Sequence, residues 1–420
     1  MRRLIPLGFL LAFSLPAFSS TMLTYSLPGG PVPVSWPVKS FPLHYQIDRR
    51  VASVIPQPGP VVESAFAQWS EVPETSLAFI DDGIVDNARA GHDGKNTITL
   101  TSDLFKDQGY IALTSNWWDD SGRMVEADIQ VDASANQGGY NIQQLVAHEI
   151  GHFLGLDHSP VLSSVMYPYV GNGPNTPLDS DDRVAIANTY PKLDPTFASA
   201  TLMGRVTGDE GGIFAAQVVA IDAFGQPVSS GLTNENGEFT LRGVPAGTYR
   251  IYAEPLDGPV ESANLSGIYR SAKLKAFPTA FLPGPPIQIE NGKVYGNLTV
   301  SSAGTARLNP IWVGTCAANG VDASLSSKAV TVRAGQTVTL AVGGDGFIGG
   351  MTKFSVMNPN IRRVSDFRYS GNYVAATFTV DPVTLPGSAV ILVSNGPSEE
   401  ATLTGALRIE SSQRSRVVRR

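Results

Sequence analysis

The sequence predicts a multidomain chain, an α+β domain followed by two all-β sandwiches. Three observations predict it. Helical periodicity with recognisable caps is confined to the residues before Pro191, beyond which short alternating apolar runs take over. At the change lies Lys192-Leu193-Asp194-Pro195-Thr196, a polar, proline-bearing stretch that reads as a linker over residues 193–199. Forty-two glycines and thirty prolines in 420 residues exceed ordinary usage and supply the turns that many short strands need.

The chain opens with Met1-Arg2-Arg3 and then runs uncharged from Leu4 to Phe18, with small residues at Ala17 and Ser19. A basic start, an apolar middle and a small-residue end make residues 1–19 a secretory signal cleaved after Ser19, too short and wrongly flanked for a membrane span. Residues 20–34 read as a short pro-segment or linker. No later stretch approaches the roughly twenty apolar residues that cross a bilayer. The expectation is a soluble, secreted, extracellular protein with no transmembrane segment.

Within residues 35–192 the chemistry gathers in one run, His148-Glu149-Ile150-Gly151-His152-Phe153-Leu154-Gly155-Leu156-Asp157-His158. Histidines four apart on a helix project from one face, so His148 and His152 can grip one zinc ion. Glu149 then sits beside the metal without ligating it. Gly155 tolerates a positive φ, ends the helix and turns the chain back, which makes His158 the third ligand. Three protein ligands leave a position for water, as catalytic zinc requires and closed structural zinc does not. Asn141 is a good N-cap with Gln144 three residues later, a capping-box arrangement, and Ile142, Leu145, Val146 and Phe153 supply the packed face.

This long zinc motif, followed by Ser164-Val165-Met166-Tyr167-Pro168 as a methionine turn, resembles the metzincin zinc endopeptidases. Ser159 after the third histidine, Glu126-Ala127-Asp128-Ile129 upstream, Ala65-Phe66-Ala67-Gln68-Trp69 and Leu178-Asp179-Ser180-Asp181-Asp182 with Ile186 and Tyr190 are similar to the matrixins among them. The resemblance implies a twisted mixed sheet with an active-site helix, one catalytic zinc on His148, His152 and His158, and Glu149 as general base. It also implies Met166 beneath the ligands, and Tyr110-Ile111-Ala112-Leu113-Thr114 as the edge strand that pairs with an extended substrate. Calcium is common in the family, and Asp119, Asp120 and Asp132 are the acidic residues that could contribute to it. Only His92-Asp93 suggests the family's second, structural zinc. Gln144 falls where the family varies a pocket floor, and Pro168-Tyr169-Val170 departs from the family's Pro-x-Tyr.

Residues 200–306 carry runs such as Leu202–Val206, Gln217–Ile221, Thr233–Leu241 and Gly243–Ile251 between Gly and Asn turns. They resemble the carboxypeptidase regulatory-like domain, a transthyretin-like β-sandwich. From 307 to 410, Val330–Gly335, Val338–Val342 and Ala389–Val393 recur at a spacing that points to an immunoglobulin-like sandwich. Residues 411–420 form a basic tail. Residues 200–306 show no acid, base or metal constellation.

A net charge of −7 and a pI near 5.3 exclude nucleic acid as the principal partner. One cysteine, Cys316, excludes an intrachain disulfide framework, and its place far downstream separates it from any thiol latency of the pro-segment. The expected activity is hydrolysis of peptide bonds in protein or peptide substrates, with a cell-surface or matrix ligand for the sandwiches. The alternative is a surface adhesin or binding protein whose sandwiches dominate and whose protease domain is accessory. Residues 35–195 hold every ligand, the base, the methionine turn and the closing helix, and so read as self-sufficient.

Overall fold

The computed structural model describes residues 22–27, 30–102, 110–171, 176–256, 258–317 and 322–412. The expected secretory signal lies outside them, as does the expected basic tail beyond residue 412. No helix among the described residues is long and apolar enough to cross a membrane.

Residues of the expected pro-segment form a hairpin, strands β1 (Thr24–Leu27) and β2 (Gly30–Pro33). The first region then builds strands β3 (Leu43–Asp48), β4 (Phe79–Val85), β5 (Thr97–Thr101), β6 (Ala112–Trp118) and β7 (Met124–Asp132). They form one sheet in the order β4-β3-β5-β7-β6, parallel except for β6, which pairs antiparallel with β7. The mixed sheet is thus as expected, and β6 is its edge. Interior strand β7 is buried at every position but one. Its two carboxylates are placed by hydrogen bonding: Glu126 accepts from the N–H groups of Asp93 and Gly94, and Asp128 from those of Gly91 and Thr97. Burial nevertheless pushes the Asp128 carboxyl up to about 6.

Three helices complete this region. Helix α1 (Pro58–Ser70) starts with proline in its first turn, where no intrahelical N–H partner is lost. It packs on α2 (Ile142–Phe153), and the indole of Trp69 donates to the carbonyl of Ala147 at 2.9 Å. Phe66 stacks on Tyr45 of β3 at 4.2 Å between centroids and meets Phe153 edge-on at 5.6 Å, joining sheet and both helices in one core. Helix α3 (Ser180–Thr189) is closed at its start by an Asp179/Asp182 capping box. Beyond it, Tyr190 donates to the carbonyl of Leu154 at 2.7 Å and accepts from the N–H of Trp36 at 3.1 Å.

The second region packs a sheet containing Pro227–Leu232, Gln217–Ile221 and Gly247–Glu254 against one containing Glu238–Val244, Ala200–Gly208 and Val294–Ser301. Two details differ from the sequence reading. Thr233–Gly237 is a turn that precedes its strand, and Pro227–Leu232 is a strand that the reading did not single out. Its residues are buried throughout, so it lacks the alternation that marks a half-exposed strand. In the third region, a sheet centred on Thr337–Asp345 and Tyr373–Val380 faces one centred on Gly387–Gly396 and Glu399–Glu410. Both regions are sandwiches, as expected.

The sandwiches do not hang from a linker. Glu254 accepts hydrogen bonds from Thr402 and Thr404, and the Tyr252 hydroxyl also meets Thr404, so the two sandwiches share buried polar contacts. Ser230 of the second region donates its N–H at 2.8 Å to the buried carboxylate of Asp181 in α3. The loop from Ser159 to Tyr167 is held from the third region: Leu162 N–H donates to Thr404 O, Arg408 donates to Ser163 O, and Tyr167 Oη donates to Ser327 O.

Candidate metal centre

Helix α2 is where the sequence places it. Asn141 caps it by accepting from the Gln144 N–H at 3.0 Å. The capping box is only half made, because the Gln144 side chain turns away and accepts from both the N–H and the hydroxyl of Thr176. At the other end Gly155 has φ +85°, and a Cβ there would lie 2.3 Å from the Val34 carbonyl oxygen. The chain therefore turns and returns beneath the N-terminal segment, where Leu23 N–H also donates to Gly155 O.

This turn brings His158 to His148 and His152. One donor atom from each lies within 4.8 Å of the others, the one such group of three or more among the described residues. Each ring is oriented through Nδ1: His148 on Val165 O at 2.7 Å, His152 on Leu156 O at 2.8 Å, and His158 on Asn264 O. A carbonyl oxygen only accepts, so all three rings carry hydrogen on Nδ1 and expose a lone pair on Nε2. The Nε2 atoms of His152 and His158 stand 3.3 Å apart. Two tetrahedral ligands about 2.0–2.1 Å from zinc are separated by roughly that distance. Burial, reinforced by the neighbouring rings, holds the pKa values of His148 and His152 below the ordinary histidine range, which keeps both rings neutral. The residues fit zinc.

Glu149 is buried beside them, and burial raises its carboxyl to about 7, opposed by a 2.7 Å hydrogen bond from the Thr114 hydroxyl to Oε2. Thr114 belongs to β6, so the edge strand and the zinc helix are joined at this carboxylate.

Met166 lies under the helix. A Cβ on Gly151 would fall 2.0 Å from the Met166 sulfur, so any side chain there would have to displace the methionine. The turn is fixed by Asp182, whose buried carboxylate accepts from Ser164 Oγ and from the N–H groups of Val165, Met166 and Asp179. A neighbouring buried carboxylate, Asp181, takes the Ser159 hydroxyl at 2.7 Å.

Other expected groups stand apart. The His92 ring stacks on Trp117, and His44 pairs with Asp82 at an exposed site. Asp119 binds Ser121 and Arg123, and Asp132 binds Ser134, so both acids are committed to their own turns. Cys316 follows the strand Asn309–Thr315 of the third region and is in no disulfide.

Sequence reasoning named Thr114 in the edge strand and Asp182 at the start of the last helix without giving either its role at the site, and it missed Asn264. Asp182 carried a signal, its position three residues after a helix-capping Asp. Asn264 carried none. Residues 35–195 do contain the full ligand set, but the orienting partner of His158 comes from outside them.

Comparison with known proteins agrees with this geometry. The family model for matrixins matches residues 36–191, and that for the carboxypeptidase regulatory-like domain matches residues 201–258. The hatching enzyme of Paracentrotus lividus is 45% identical over 64 residues, 15% of this chain and 11% of that protein. Karilysin of Tannerella forsythia is 46% identical over 57 residues, 14% of this chain and 12% of the relative. Stromelysin-3 of Rattus norvegicus is 29% identical over 156 residues, 35% of this chain and 30% of its own length. The chain thus spans less than a third of the length of each of these relatives. The histidine triad thus lies within a region, residues 36–191, that matches the matrixin family model, and a carboxypeptidase regulatory-like domain match follows over residues 201–258.

Proposed function

We propose that the chain is an exported zinc endopeptidase that hydrolyses peptide bonds in extracellular proteins. The observation that carries this reading is the convergence of three Nδ1-anchored histidines beside a buried, hydrogen-bonded Glu149. His148, His152 and His158 would hold the ion. Bound zinc supplies a polarised scissile carbonyl and a water whose pKa falls from 15.7 to roughly 7. Glu149 would serve as the general base, taking a proton from the attacking water and giving one to the leaving amine, a role that its pKa near neutrality suits. The free edge of β6 pairs with an extended substrate backbone, and Thr114 on that strand holds Glu149 in place. Met166 forms an apolar base and takes no part in the chemistry.

Export rests on the reading of residues 1–19, and an extracellular substrate follows from it. The outer faces of the sandwiches, with Val383 and Leu385 exposed on the third, are available to a cell-surface or matrix ligand.

The test is casein cleavage by the full chain with and without a zinc chelator, beside the Glu149→Ala protein. Cleavage should stop on chelation and return with zinc. The variant should keep its zinc and lose activity by about 10² to 10⁴, the range for a general base. Chelator-insensitive cleavage, or a variant within a few-fold of wild type, would sink the reading.

A further inference from the structure

We infer that the second domain sets the metal affinity of the site, through the backbone carbonyl of Asn264 acting as the positioning partner of His158. The inference rests on the zinc reading above and deepens it. Two of the three anchoring carbonyls, Val165 and Leu156, belong to the peptidase region itself. The third comes from a residue 106 positions beyond the histidine that it orients. A histidine ligand whose second nitrogen lacks an acceptor loses its fixed tautomer and ring orientation, and metal affinity with them.

The segment bearing this carbonyl is built to stay in place. Ser262–Asn264 is a 3₁₀ turn, and the Asn264 side chain accepts from the Glu261 N–H at 2.9 Å. Two residues on, the Ser266 N–H donates at 2.7 Å to Oδ2 of Asp157, whose Oδ1 accepts the N–H of His158 at 2.8 Å. One buried carboxylate therefore holds both sides of the His158–Asn264 contact in register. Leu256, Val260 and Leu265, around the same turn, are buried in a cluster with Leu162 and Tyr167 of the loop that follows His158. The Ser266 hydroxyl also accepts from Thr24 N–H of the N-terminal hairpin at 3.3 Å. His158 is thus the ligand whose orientation reports whether the second domain is docked.

The test uses the full chain. Ser266→Pro removes the N–H that anchors the segment to Asp157; the preceding Leu265 is extended, as a residue before proline must be, and φ at Ser266 has to move from −100° toward about −65°. Ser266→Ala leaves the backbone groups intact. Zinc affinity is measured by competition with a chromophoric chelator, and ligand geometry by the visible spectrum of the cobalt-substituted protein. Ser266→Pro should bind zinc about ten- to a hundredfold more weakly and alter the cobalt spectrum, with Ser266→Ala within about threefold of wild type. A folded Ser266→Pro protein with wild-type affinity and spectrum overturns the inference.

Should that variant not fold, nitrogen-resolved spectra of the histidine rings in zinc-loaded wild type decide. A His158 Nδ1–H protected from exchange relative to exposed His44 supports the contact; equal exchange, or zinc bound through Nδ1, overturns it. A wild-type chain that takes up no zinc overturns the endopeptidase reading as well, whereas unchanged affinity in Ser266→Pro leaves that reading standing.

Discussion

The hydroxyl of Thr114 donates to Oε2 of Glu149 at 2.7 Å, linking the edge strand of the sheet to the acid beside the zinc ligands. The bond stabilises the ionised carboxylate and so opposes the burial that raises its pKa. Replacing Thr114 by valine keeps the volume and removes the donor. The Glu149 pKa should then rise above its value of about 7. A general base works deprotonated, so its activity is lost as pH falls through its pKa. The acidic limb of the kcat/KM profile should therefore move to higher pH in Thr114→Val. An unmoved limb in a folded, zinc-loaded variant would show that this hydroxyl does not tune the acid.

His158→Ala should differ in kind from Glu149→Ala. It removes a ligand, so zinc occupancy falls together with rate, whereas the glutamate variant keeps its metal. Metal analysis after dialysis separates them, and full occupancy in His158→Ala would show that the third ligand is misassigned.

Gly151 faces the Met166 sulfur with no room for a methyl group. Gly151→Ala should cost about 1–3 kcal/mol, the usual range for overpacking, despite alanine's better helix propensity. The thermal midpoint should fall and zinc should dissociate faster. A variant as stable as wild type would mean that Met166 has space to withdraw.

Cys316 sits in the third sandwich, in no disulfide, and burial raises its thiol pKa, which disfavours the reactive thiolate. Cys316→Ser should leave the rate and time course of peptide cleavage unchanged, and mercurial reagents should not activate the wild type. Activation by either treatment would place this thiol on the metal.

What was legible in the sequence was local. The helix from Asn141 to the positive-φ Gly155 is written in neighbouring residues, and its histidine spacing encodes a shared face. The same locality explains what was missed. Gln144 looked like half of a capping box, but its side chain is claimed by Thr176, 32 residues on. Pro227–Leu232 escaped notice because burial on both faces erases the period of two. Asn264 is beyond any local reading, since its role is played by a backbone carbonyl that every residue type possesses. The sandwich patterns announced two folded units but not that both press on the loop after His158.

That loop carries a consequence for how the molecule comes into being. Ser163 is held by Arg408 across 245 positions of sequence, and Leu162 by Thr404. During synthesis or export from the N-terminus, the whole zinc motif emerges while the strands that brace its loop do not yet exist. Contacts so distant in sequence form late, because loop closure must precede them. The loop after His158 therefore receives its last braces with the final strand of the third sandwich, and a chain truncated before Thr404 keeps the Asp182 contacts on that loop but loses those from Thr404 and Arg408.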